Sequence, residues 1–233
     1  MNNLKKNYNI IDLTHSLSSK IASWEGDCGF HLKNKIDYDQ GVRVQAIQMR
    51  AGIGTHIDAP SHFIPDGDNI AQLAIANLIT SAYVIDVREK VHPDYFISAD
   101  DIDKFEKQHG RIEADSLVIA LTGWEQHWTD PAKYRNVDDK GKMHFPGFSP
   151  QSVELLLQRG INGVAIDTLS PDGSDMTFPV HHLLLGAGKY IIENIANCAL
   201  LPAKGACIVA LPIKVADGTE APLRIIALLE KHQ

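Results

Sequence analysis

Cysteine is scarce in this sequence: Cys28, Cys198 and Cys207 are the only three, and no two are spaced as Cys-x-x-Cys. An odd number at such separations argues against a disulfide framework and against a thiolate zinc site, and leaves reduced, mostly buried thiols as the expectation. Long apolar runs are missing too. No stretch approaches the roughly 20 apolar residues that a membrane-spanning helix needs. Basic charge is in deficit, with 22 Lys+Arg against 29 Asp+Glu and a formal net charge of −7. A nucleic-acid binder displaces counterions with a basic face, and an anionic membrane attracts a polybasic patch, so neither partner is expected. The opening Met-Asn-Asn-Leu-Lys-Lys-Asn-Tyr is polar and lacks the apolar core of a secretory signal. The expectation is a cytoplasmic protein acting on a small molecule.

What is present suits a globular α/β protein. The 233 residues, 44% of them hydrophobic and 22% charged, are enough for one sizeable core. No repeat, low-complexity tract or Pro/Ser linker divides the chain, so residues 1–233 are read as a single domain. Short apolar runs rich in Val and Ile, bounded by Gly, Pro or Asp, predict strands at 8–13, 42–49, 82–87, 117–121, 164–166, 190–195, 208–211 and 223–228. Ser98-Ala-Asp-Asp101 has the spacing of a capping box and opens a helix that stops near Gly110. Ser149-Pro150 opens a second, with Val153, Leu156 and Leu157 at helical spacing and Gly160 at its end. A third starts at Pro179 and breaks near Gly186–Gly188. Strands outnumber helices without alternating strictly with them, which predicts a mixed β-sheet rather than a dinucleotide-binding fold. The segment 123–147 carries Trp124, His127, Trp128, Tyr134, His144 and Phe145 without clear periodicity, and is read as a lid or binding loop.

The chemistry concentrates in Gly54-Thr-His-Ile-Asp-Ala-Pro-Ser-His62. An imidazole–carboxylate–imidazole set suits a borderline divalent ion such as zinc or manganese. In an extended segment, residues two apart face the same side, so His56 and Asp58 are placed to serve one ion. Pro60 interrupts any ladder, and the bend it predicts sets His62 beside the ion, where a general base belongs. A second set comprises His181, His182 and Glu193. Glu193 sits in the apolar run Tyr190–Ile195 and shares its face with Ile191, which favours burial; a buried carboxylate needs a partner or a metal. The pattern does not say which of His181 and His182 faces inward. No GxSxG elbow, HExxH helix or Walker loop is present.

Gly54-Thr-His-Ile-Asp-Ala-Pro-Ser-His-Phe63 resembles the signature of the cyclase-like metal hydrolase family, which includes bacterial-type kynurenine formamidase and isatin hydrolase. The resemblance extends over Asp12-Leu-Thr-His-Ser-Leu17, Trp24-Glu-Gly-Asp27, Thr122-Gly-Trp124, Phe145-Pro-Gly147, Gly163-Val-Ala-Ile-Asp-Thr168 and the His181 to Glu193 spacing, in the family's order. It implies that His56, Asp58, His181 and Glu193 are metal ligands, with Asp58 and Glu193 able to bridge. It also implies that His62 is the general acid/base and that Trp24 lines the substrate pocket. It implies a swivelling β/β/α-type domain, assembled as a homodimer or homotetramer. One position departs from the pattern: the histidine expected four residues before His56 is Gly52. The centre is therefore expected to hold one or two ions, with water or a side chain such as Gln48 filling the gap.

The expected reaction is hydrolysis of a small amide of the N-formylkynurenine type, with metal-activated water and His62 as general base. Trp24 and the segment around Trp124, Trp128 and Tyr134 are expected to hold the substrate. Cyclic imide, lactam (isatin-like) or lactone hydrolysis is the alternative, and a non-catalytic metal-binding relative is a third reading.

Overall fold

The computed structural model describes residues 4–27 and 29–231. Among the described residues there are twelve strands: β1 (Tyr8–Asp12), β2 (Phe30–Ile36), β3 (Val44–Met49), β4 (His56–Asp58), β5 (Ile79–Asp86), β6 (Phe96–Ile97), β7 (Leu117–Leu121), β8 (Gly147–Phe148), β9 (Gly163–Ile166), β10 (Tyr190–Glu193), β11 (Lys204–Pro212) and β12 (Glu220–Glu230). The helices are α1 (Leu4–Asn7), α2 (Ala99–His109), α3 (Pro131–Arg135), α4 (Pro150–Gln158) and α5 (Pro179–Gly186).

The predicted mixed sheet is present, and it closes on itself. Seven strands follow the order β12-β11-β5-β7-β9-β10-β4, and β4 pairs again with β12. The pairs β5–β7, β7–β9 and β9–β10 are parallel; the others around the ring are antiparallel. The eleven residues of β12 let it do two jobs. Its first three pair with β4, and its last five pair with β1, which lies outside the ring. Closure leaves the barrel strands without free hydrogen-bonding edges.

Alternation along each strand divides the core in two. Ile57, Val84, Ile119, Ile192, Ile208 and Ile225 point into the barrel with several alanines, among them Ala165, Ala206 and Ala221. Mixing small and large residues in this way fills a narrow interior. The neighbouring positions Ile85, Val118, Val164 and Ile191 point outward and are covered by α2, α4 and α5 through Ile102, Leu156 and Leu184. The predicted capping box is formed: Asp101 N–H donates to Ser98 Oγ at 3.3 Å, and Ser98 N–H donates to Asp101 Oδ2 at 2.8 Å. Ser149 caps α4 by accepting from Ser152 N–H, with Pro150 in the first turn.

Two expectations change. Phe30–Ile36 is a strand outside the predicted set: Phe30, Leu32 and Ile36 alternate with polar residues, but Asn34 interrupts the series and most of the strand is exposed. The segment 123–147 is not a lid. Trp124, Tyr134 and Phe145 are buried, and with Trp128 they form an internal cluster against Ile21, Phe30 and Ile53. Trp124 Nε1 donates to the Tyr134 carbonyl at 2.8 Å, and Trp128 stacks on His15 with ring centroids 4.0 Å apart. Cys198 and Cys207 are free thiols, and Cys28 lies outside the described residues. Among those residues no helix is long and apolar enough to cross a membrane.

Candidate metal centre and pocket

The site is a consequence of strand register. β4 lies between β10 and β12, antiparallel to both. His56 stands opposite Glu193, and Asp58 stands opposite Glu220. Residues directly opposite in an antiparallel pair share a face, and His56 and Asp58 share one by alternation. Four donor side chains therefore project from one patch of the barrel's outer surface, while Ile57, Ile192 and Ala221 between them fill the interior. The chain then turns at Pro60–His62, as Pro60 predicts, and α5 covers the patch with His181.

His56, Asp58, His181 and Glu193 are all buried. His56 Nε2 lies 3.4 Å from Asp58 Oδ1 and 3.3 Å from Glu193 Oε2. His181 Nε2 lies 3.6 Å from Asp58 Oδ2 and 3.5 Å from Glu193 Oε1. His182 is exposed, which resolves the choice that the sequence left open. Both imidazoles are aimed by their second nitrogen. His56 Nδ1 is 2.8 Å from the Gly54 carbonyl, and His181 Nδ1 is 2.5 Å from Asp172 Oδ2. Each contact leaves Nε2 turned toward the carboxylates, the arrangement that metal-binding histidines adopt. Gly54 itself has φ +64°, and a Cβ there would strike Leu17, so this turn requires glycine.

The electrostatics call for a cation. Among the described residues, both oxygens of Asp58 are buried without a hydrogen-bond partner, a costly condition for a carboxylate. Burial, and after it the Asp58 carboxylate, push the Glu193 carboxyl up to about 7. Burial works against charging His56, but the carboxylates of Asp58 and Glu193 outweigh it and hold its pKa above the ordinary imidazole value. Nitrogen and oxygen ligands about 2.0–2.1 Å from a tetrahedral ion stand ~3.4 Å from one another. The observed separations agree with that spacing, and the donor set fits a divalent ion. Two groups of three donors meet within 4.8 Å: His56, Asp58 and Glu220, and Asp58, His181 and Glu193.

A cavity of about 440 Å³ opens over this patch. His62 stands at its edge, partly exposed, with Nδ1 3.6 Å from Glu220 Oε2. Trp24, Phe63, Leu169 and Phe178 form its apolar wall, and Trp24 and Phe178 have ring centroids 5.8 Å apart. Trp24 lies on the wall of this cavity. Trp124, Trp128 and Tyr134 do not line it, because their rings are used in the internal cluster. Tyr134 acts at one remove: its hydroxyl is 3.0 Å from Asn194 Oδ1, and Asn194 Nδ2 donates to the Gly54 carbonyl. Gln48 does not line the cavity; it lies on the exposed hairpin opposite His31.

Two residues of the site escape sequence reasoning. Glu220 reaches it through the pairing of β12 with β4, and nothing in Gly218-Thr-Glu220 marks it. Asp172 reads as a turn residue in Pro171-Asp-Gly173. A usable signal was the lack of Ser, Thr, Asp or Asn immediately before Pro179, since a helix without a local cap takes one from elsewhere. Asp172 supplies it, accepting from Val180 N–H at 2.6 Å and from His181 N–H at 3.2 Å.

Residues 11–173 match the model of the family described as "Putative cyclase", and the chain belongs to that family. Its relatives are named for two reactions. An isatin hydrolase from Roseibium aggregatum is 35% identical over 189 residues, covering 76% of this chain and 72% of the relative. A kynurenine formamidase from Bacillus cytotoxicus is 26% identical over 219 residues, covering 93% and 95%. Among solved structures, an isatin hydrolase bound to the product analogue thioisatinate superposes with a TM-score of 0.91 at 29% identity, covering 98% of this chain and 95% of the other.

Proposed function

We propose that the chain is a metal-dependent hydrolase that opens the ring of a small cyclic amide of the isatin type. The observation that carries the reading is the pair of donor groups sharing the unpartnered Asp58 carboxylate, set at the floor of a cavity with an aromatic wall. His56, Asp58, His181 and Glu193 would hold the ion. A divalent ion there, zinc or manganese by donor chemistry, would supply Lewis acidity toward a carbonyl oxygen and lower the pKa of water toward ~7.

The protein groups do the rest. Trp24, Phe63 and Phe178 offer faces against which a flat ring packs. His62, which lines the cavity with Nδ1 3.6 Å from Glu220 Oε2, takes the proton from the attacking water and returns it to the leaving nitrogen. The water oxygen bonds to the carbonyl carbon, the ring C–N bond breaks, and one product molecule carries an amine and a carboxylic acid that releases its proton to solvent. Assistance of this kind is worth about 10²–10⁴-fold in rate. A homodimer or homotetramer is part of the same proposal.

The sequence alone ranks a linear arylformamide ahead of a lactam. The higher identity to an isatin hydrolase and the close superposition on an isatin hydrolase structure favour the opposite order. N-formylkynurenine-type hydrolysis stays as the second reading, because the formamidase match spans nearly the whole chain. Turnover measured on isatin, N-formylkynurenine and a simple cyclic imide separates them. A kcat/KM at least tenfold higher for isatin is expected; preference for the formamide reverses the order, and inactivity on every amide tested refutes the proposal.

A further inference from the structure

Position 52 and Glu220 occupy one another's space. A Cβ on Gly52 would overlap Glu220 Oε1 and come within 3.3 Å of His56 Nε2. The space beside His56 that a side chain at position 52 would enter is thus already filled by a carboxylate from another strand. Glu220 Oε1 stands 4.0 Å from His56 Nε2, and the first residue of β12 is held there by its register opposite Asp58. The glutamate is only partly exposed, with 22% of its side-chain surface accessible.

The two buried oxygens of Asp58 look in different directions. Oδ1 faces His56 and Oδ2 faces His181, and neither has a hydrogen-bond partner. Glu193 divides likewise, Oε2 toward His56 and Oε1 toward His181. On the His181 side, three donors converge from β4, β10 and α5. On the His56 side, the shared carboxylates leave one imidazole as the only ligand not held in common, unless Glu220 joins it.

We propose that Glu220 is a metal ligand standing in for the absent side chain at position 52, so that the centre holds two ions with Asp58 between them. The proposal rests on the metal-dependent reading of this site. A monodentate carboxylate replaces an imidazole in the ligand set, which adds negative charge beside His56 and favours a harder ion there than nitrogen would. It also accounts for glycine at position 52, where any larger residue would displace the ligand.

The test is the number of ions bound per chain, measured by elemental mass spectrometry and by calorimetric titration of the metal-stripped full chain with zinc and with manganese. Wild type is expected to take up two ions, Glu220→Ala one, and the double variant Gly52→His/Glu220→Ala two again. Glu220→Gln, nearly the same shape, is expected to keep one tight ion and weaken the other at least tenfold; cooperative thermal unfolding of each variant shows that it is folded. If Glu220 only orients His62, the alanine variant keeps the wild-type stoichiometry and the proposal fails. Loss of both ions from a folded Glu220→Ala chain, or a wild type holding one, also overturns it. A wild type that binds no ion refutes the metal-dependent reading itself, a distinct result.

Discussion

Asp172 and His181 are joined twice: one carboxylate oxygen accepts the backbone N–H of His181 at 3.2 Å and lies 2.5 Å from its Nδ1. The other oxygen accepts from Val180 N–H, so a single aspartate caps α5 and fixes the ring that this helix presents to the site.

Replacing Asp172 with alanine should therefore be felt in two ways. Removing an outer partner of a ligating histidine typically lowers metal affinity 10–100-fold, and losing a cap costs about 1 kcal/mol of stability. Calorimetric metal titration and chemical denaturation measure the two separately. A variant with unchanged affinity would show that the ring is held by packing alone, through Phe63 and Phe178.

His62 has a different assignment, and its substitution separates the roles. His62→Ala should lower kcat about 10²–10⁴-fold while metal content stays as in the wild type. Rapid turnover in that variant would remove the proton-transfer role, and loss of metal would make His62 a ligand.

His15 gives a pH effect away from the candidate metal site. Burial lowers its pKa from 6.5 to about 4, and its ring stacks on Trp128. Above pH 6.5 the folded and unfolded chains both carry it neutral, and its contribution is complete. As the pH falls from 6.5 to about 4, the unfolded chain takes the proton first, and roughly 2 kcal/mol is lost. Denaturation at pH 7.5 and pH 4.5 should show a smaller loss for His15→Gln than for wild type. Equal losses would contradict this origin.

Much of the site was legible because its chemistry is local. His56 and Asp58 are two apart in an extended stretch that Pro60 terminates, and Glu193 shares a face with Ile191, so facing and burial followed from period two. The strands with apolar faces were legible for the same reason. Glu220 was not, because its closeness to Asp58 arises only when β4 is paired on both edges, a condition set by barrel closure. Phe30–Ile36 buries Phe30 but leaves Leu32 exposed, so its short alternation does not mark a core face. The aromatic stretch from Trp124 to Tyr134 misled in the other direction. Aromatic rings suit a binding loop and an internal cluster equally, and what decides is where their polar ends find partners, here Tyr134 and Asn194.

The account stands most directly on isatin turnover followed through removal and return of metal. It predicts that stripping with a chelator reduces kcat/KM at least a hundredfold, that adding back zinc or manganese restores it, and that Asp58→Asn stays inactive and under-loaded at the same metal concentration. Full activity in the stripped protein, or in a metal-free Asp58→Asn chain, would contradict it.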